Sequence, residues 1–264
     1  MKKTPLVIAL LAAAILAGAP SHQAVAAGVK ADKEVLMRAV FGARYLKDGQ
    51  TLAELPTPED KSKLRRYALA PLASELLASG ETVLVAQATW ADERDEGEAV
   101  LAGPLINVFV LRETGGKWTV VRRHHNIVYR GYGPRPGSVL FTALGPQRQA
   151  LAIASLDLDE GCHAGALHLY DLADNRLRDL ANIANEMVDT PDCNGIGMKK
   201  AVSVTSTWHL APQKKAGQIY DDLVMVFKTE KFGVAATKVT ARYAYDGKAF
   251  KLVAGENPLH TPSP

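Results

Sequence analysis

The chain has 264 residues, 47% of them apolar and 22% charged, with a formal net charge of +3. This composition excludes a disordered or low-complexity chain and suits a folded body with a sizeable core. The charge falls to +1 if Lys2 and Lys3 are removed with a leader, so electrostatics give no case for nucleic acid or an anionic membrane surface as partner.

The leader is the clearest local signal. Lys2 and Lys3 form a basic n-region, Leu6 to Gly18 is a run of small and apolar residues, and Ala24-Val25-Ala26 is an A-x-A cleavage site. Residues 1–26 are therefore expected to be a signal peptide, with the mature chain beginning at Ala27. The run is shorter than the ~20 residues that cross a bilayer, and no second such run follows, so no transmembrane anchor is expected.

Residues 27–80 read as a helical segment packing on a larger body. Val35, Leu36, Ala39, Val40 and Ala43 recur at helical spacing between Ala31 and Tyr45, weakened by Gly42 and ended by Lys47-Asp48-Gly49. A second helix is expected from Thr57, with Thr57 as N-cap, Pro58 at N1, Glu59 and Asp60 at the positive end of the dipole, a kink at Pro71 and a stop at Gly80.

From Glu81 the pattern changes to short alternating segments punctuated by Gly, Pro and Asp-Gly, the signature of strands and hairpins. Leu84, Ala86, Ala88 and Trp90 alternate on one face. Leu151, Ile153, Ser155 and Asp157 align beneath them, as do Val202, Val204, Ser206 and Trp208. A second strand then pairs an aliphatic with an aromatic residue: Val108-Phe109, Leu169-Tyr170 and Val226-Phe227. A third follows the turns at Gly116-Lys117-Trp118, Asn175-Arg176-Leu177 and Gly247-Lys248-Ala249-Phe250, and the last copy gains a strand over 237–245, turned by Asp246-Gly247. The expected fold is mainly β, α+β overall, with antiparallel meanders over 81–147, 148–200 and 201–254. These are either three divergent blade-like repeats or generic hairpins, forming a curved stack or sandwich with a short C-terminal tail.

Cys162 and Cys193 are the only cysteines. In an oxidising compartment they are expected to form one disulfide; metal ligation with the adjacent His163 and Asp192 competes, without the C-x-x-C spacing of a zinc site. Asp157-Leu158-Asp159-Glu160-Gly161 resembles the start of a calcium loop but departs from it at Cys162 and His163, so an acidic hairpin turn is preferred and no metal or cofactor is assigned. Arg122-Arg123-His124-His125 falls on a strand, which sends Arg122 and His124 to one face and Arg123 and His125 to the other.

Two loops are candidate binding surfaces, one for its Tyr and Arg side chains and one because the expected disulfide would pin it. The segment 129–137 offers Tyr129, Arg130, Tyr132 and Arg135 between turn-fixing Gly and Pro, and 189–197 offers Asp192 and Asn194 beside Cys193. No G-x-S-x-G, H-E-x-x-H or phosphate-binding glycine motif occurs. The expected function is a non-enzymatic, exported binding protein, such as an inhibitor or immunity-type partner, engaging another protein or an envelope component. The alternatives are a periplasmic or extracellular hydrolase using Asp157, Asp159, His163 or His168 as acid/base residues, and a structural or calcium-dependent adhesion module.

Overall fold

The structure is a computed structural model that describes residues 31–45, 51–58, 60–91, 104–128, 138–146, 148–159, 162–189, 193, 201–212 and 218–259, without the side chains of Leu158 and Asp159. The body is antiparallel β, as the alternation and turn residues require. Helix α1 (Lys33–Phe41) precedes a sheet whose strands lie in chain order: β1 (Thr51–Pro56), β2 (Leu64–Leu76), β3 (Glu81–Trp90), β4 (Leu105–Thr114) and β5 (Lys117–Val128). The second sheet also follows chain order: β6 (Val139–Gly145), β7 (Arg148–Asp159), β8 (Cys162–Asp171), β9 (Asp179–Asp189), β10 (Val202–Ala211), β11 (Asp222–Lys231), β12 (Val234–Tyr245) and β13 (Phe250–Gly255).

Because strand side chains alternate, each sheet offers two faces, and the apolar ones stack in layers. On the first sheet Leu69, Leu84, Ala86, Phe109 and Leu111 receive Leu36, Met37 and Val40 of α1, with the Phe41 and Phe109 rings edge to face at 5.4 Å. The opposite face carries Val83, Val85, Ile106, Val108 and Val110, which meet Leu151, Ile153 and Tyr170 of the second sheet. Strands β3 and β4 are thus buried on both faces, which is why they read as continuous apolar runs. The second sheet buries its other face on itself: Ala152, Leu169, Met225, Phe227, Tyr243 and Phe250 share one cluster spanning β7 to β13. The sheet therefore curls, bringing the end of β6 to the start of β11, where the Asp221 N–H donates to the Leu144 carbonyl at 2.9 Å.

The first helix begins on the Asp32 cap, whose carboxylate accepts from the Glu34 N–H, and ends at Gly42 with φ 62°, earlier than the spacing suggests. Its buried face is Leu36, Met37 and Val40; Val35 points to solvent. The expected second helix is absent. Thr57 does make a capping contact, accepting from the Asp60 N–H at 3.2 Å, but its own N–H bonds to the Lys63 carbonyl at 2.9 Å, so the turn closes the β1–β2 hairpin. Tyr67 and Leu69 then point inward at strand spacing, both fully buried. Pro71 is tolerated because β1 pairs with Leu64–Leu69 and stops short of it, so among the described residues no strand on that edge needs its missing N–H.

The meanders are redistributed as well. Strand β6, grouped with the first meander in the sequence, pairs with β7, and the second and third meanders form one continuous sheet. Asn175-Arg176-Leu177 is a turn, with Leu177 at φ 48°, and the strand it announces begins at Asp179. Cys162 and Cys193 form the expected disulfide, Cα atoms 5.0 Å apart, clipping the start of β8 to the chain beyond β9.

Candidate functional site

Where the curled sheet brings β6 towards β10, a cleft of about 650 Å³ opens. Ser138, Leu140 and Thr142 line one wall, and Ser206, Trp208 and Leu210 the other. Its floor is built from Ala152, Ala154 and Leu167, with Asp221 at one end. The small floor residues give the cleft depth, while Trp208 and the half-exposed Leu140 give it apolar contact area. Ser206 Oγ is buried in the wall without a hydrogen-bond partner, a polar group whose desolvation no described neighbour compensates.

A second arrangement lies between the two sheets. His168 Nδ1 is 2.8 Å from Asp179 Oδ2, and its Nε2 is 3.4 Å from Ser155 Oγ. With Nδ1–H donating to the carboxylate, Nε2 can only accept, and the single Ser155 hydroxyl proton goes either to it or to the Ala166 carbonyl 3.3 Å away. Tyr170 stacks on the imidazole and donates to the Ile127 carbonyl at 2.9 Å. Burial, reinforced by the Asp179 charge, pushes the Tyr170 hydroxyl above the ordinary tyrosine range, so it stays a neutral donor. The order serine–histidine–aspartate is that of a nucleophile relay, but Ser155 and His168 are 8% and 5% exposed and Ser155 does not line the cleft.

A third cluster joins the sheets electrostatically. The nearly buried Glu81 accepts from Arg112 at 2.7 Å and from Arg122 at 2.5 Å, and Arg122 also donates to Asn175 at 2.7 Å. Burial raises the Glu81 carboxyl, yet the two guanidinium hydrogen bonds outweigh it and the net shift is downward. The rest of the Arg-Arg-His-His run divides as its spacing requires. Arg123 sits over the Phe109 ring and His125 bonds Asn107 on the helix side, whereas Arg122 reaches the second sheet. Burial, then the neighbouring arginines, lowers both His124 and His125 below the usual histidine value.

The binding residues singled out in the sequence, Tyr129, Arg130, Tyr132, Arg135, Asp192 and Asn194, lie outside the described residues. Of the acid/base candidates, Asp157 and His168 sit on opposite strands of the β7–β8 hairpin, where His168 pairs with Ile153 and Asp157 with Ala164, four residues apart along each strand. His163, five positions before His168 on the same strand, projects to the other face. These residues do not converge on one pocket. The backbone through Asp157–Asp159 is paired strand, with Asp159 opposite Cys162, so the acidic segment ends a hairpin. The cysteine sulfurs are bonded to each other beside Asp189 and offer no thiolate.

No family model matches the chain, and no curated protein does. Among solved structures, an α-L-arabinanase from Penicillium chrysogenum, complexed with arabinobiose, aligns over 81% of this chain and 55% of its own, at 12% identity and a TM-score of 0.33. The chain thus spans about half the length of that enzyme, and a likeness this slight assigns neither fold nor activity.

Proposed function

We propose that the protein is an exported binding protein without catalytic activity, and that the cleft between β6 and β10 is where it engages another envelope or secreted component. The cleft carries the reading: it is open, mixed in chemistry and walled by Trp208, an aromatic of the kind that anchors interfaces. The leader features of residues 1–26 and the disulfide fit export. In the described residues no helix is long and apolar enough to cross a membrane. The mature chain, immobilised and exposed to envelope extract, is expected to retain a discrete partner that Trp208→Ala and Leu140→Asp each release. Equal retention by both variants, or turnover of an ester or glycoside substrate by the wild type, would overturn the proposal.

A hydrolase remains the second reading, and the Ser155–His168–Asp179 chain is the observation in its favour. It requires Ser155 to be reachable in the folded protein. A fluorophosphonate that labels wild type but not His168→Ala would establish it. Absence of labelling from a folded, active-in-binding protein leaves the three side chains as a buried network that satisfies its own polar groups.

A further inference from the structure

We propose that the turn joining β11 to β12 inserts Phe232 and Val234 into the interface of an anionic lipid bilayer and so holds the exported chain at a membrane surface. This site is separate from the cleft. The cleft wall on β10 spans Ser206–Leu210, whereas the turn lies beside Val202, at the other end of that strand. The hairpin closes with Lys231 paired to Val234, which leaves Phe232 and Gly233 as its two turn residues. Gly233 stands at φ 71°, so the backbone asks for glycine there. Position 232 carries no such demand, and turns usually fill such a place with a polar residue or proline.

Phe232 is nevertheless 61% exposed, as is Val234, and no other large apolar side chain among the described residues is more so. Neither belongs to a core cluster, so the fold gains nothing from their apolar character. Strand β13 pairs with β12 only from Ala241 onward. Over Val234–Lys238 strand β12 is therefore exposed on both faces, and the hairpin end stands clear on that side.

The charges around the apolar pair select the partner. Residues 228–238 carry Lys228, Lys231 and Lys238 against one carboxylate, Glu230, which Lys228 holds at 2.5 Å. Lys231 and Lys238, both exposed, are left as uncompensated cations flanking the turn. Asp189, at the same end of the sheet, stands two strands away beside the disulfide. The chain as a whole has little net charge, so this attraction is local. Anionic headgroups match the lysines while the acyl boundary takes Phe232 and Val234, the division that membrane-surface segments use. A protruding apolar tip enters a fluid interface without a complementary cavity, which a protein partner would have to supply.

Sedimentation of the chain from Ala27 with vesicles of phosphatidylcholine, alone or with a third of phosphatidylglycerol, provides the test. Binding is expected on the anionic vesicles only. It should weaken at least about fivefold for Phe232→Ser, and by as much for Lys231→Gln combined with Lys238→Gln. The far-UV spectrum should not change, because these side chains are exposed. Phe232→Trp is expected to be quenched by lipids brominated on their acyl chains, beyond any quenching of the wild type. No binding to anionic vesicles, or binding that both variants leave within about twofold, overturns the proposal. So does binding lost with the lysines while Phe232→Trp stays unquenched, since that is adsorption without insertion. If Phe232→Ser instead releases the protein retained from envelope extract and leaves vesicle binding intact, the turn is a protein contact and the lipid assignment falls. The cleft reading is judged apart from all of these, by Trp208→Ala and Leu140→Asp.

Discussion

Glu81 shows how one carboxylate can couple two layers. It stands at the start of β3 and holds Arg122 of β5, which in turn reaches Asn175 in the turn before β9. Its folded pKa lies below the ordinary 4.5, so its contribution to stability is complete above that value and is lost as pH falls through the folded value. Glu81→Gln is expected to cost about 1–2 kcal/mol at pH 7, allowing for the exposure of Arg112. The gap from wild type should close below pH 4.5, as read by urea unfolding at a series of pH values. A cost that stays constant to pH 3 would mean the carboxylate charge is not what matters. The same scale explains why the serine–histidine–aspartate chain escaped the sequence: His168 stood out, but Ser155 lacked a nucleophile motif and Asp179 had no local signal. Only the register, His168 against Ile153 and Tyr170 against Asp179, assembles them.

At the level of elements, hairpins with alternating apolar residues were legible because the period of two survives any packing detail. Val108-Phe109, Leu169-Tyr170 and Val226-Phe227 lie in β4, β8 and β11, and Asp246-Gly247 turns β12 into β13. The segment after Thr57 imitates a helix start because a Thr hydroxyl accepting from the residue three positions on serves a helix start and a hairpin loop alike. The deciding signal was the inward alternation of Tyr67 and Leu69, against helical spacing that Leu64, Tyr67 and Ala68 imitate. The disulfide was legible by arithmetic, since two cysteines allow one pairing. Closing a loop of 31 positions, it should contribute roughly 3–4 kcal/mol in the chain-entropy model. The Cys162→Ser, Cys193→Ser double variant is expected to unfold at correspondingly lower urea with an unchanged far-UV spectrum. Equal midpoints would show that the β8–β9 pairing alone fixes this end of the sheet.

For the whole molecule, the helix, the first sheet and the curled second sheet stack so that their apolar faces meet one another. Curling is what creates the cleft, and this explains why no sequence motif announced it: Leu140 and Trp208 belong to strands far apart in the chain, and each reads alone as an ordinary strand residue. The most direct measurement is photo-crosslinking in envelope extract from a benzoylphenylalanine placed at residue 140, beside the cleft, compared with one at residue 253, an exposed position on the outer edge strand β13. A discrete adduct from 140 alone, lost with Trp208→Ala, is the expected result. The same adduct from 253, or one that Trp208→Ala leaves intact, would contradict a binding site between β6 and β10.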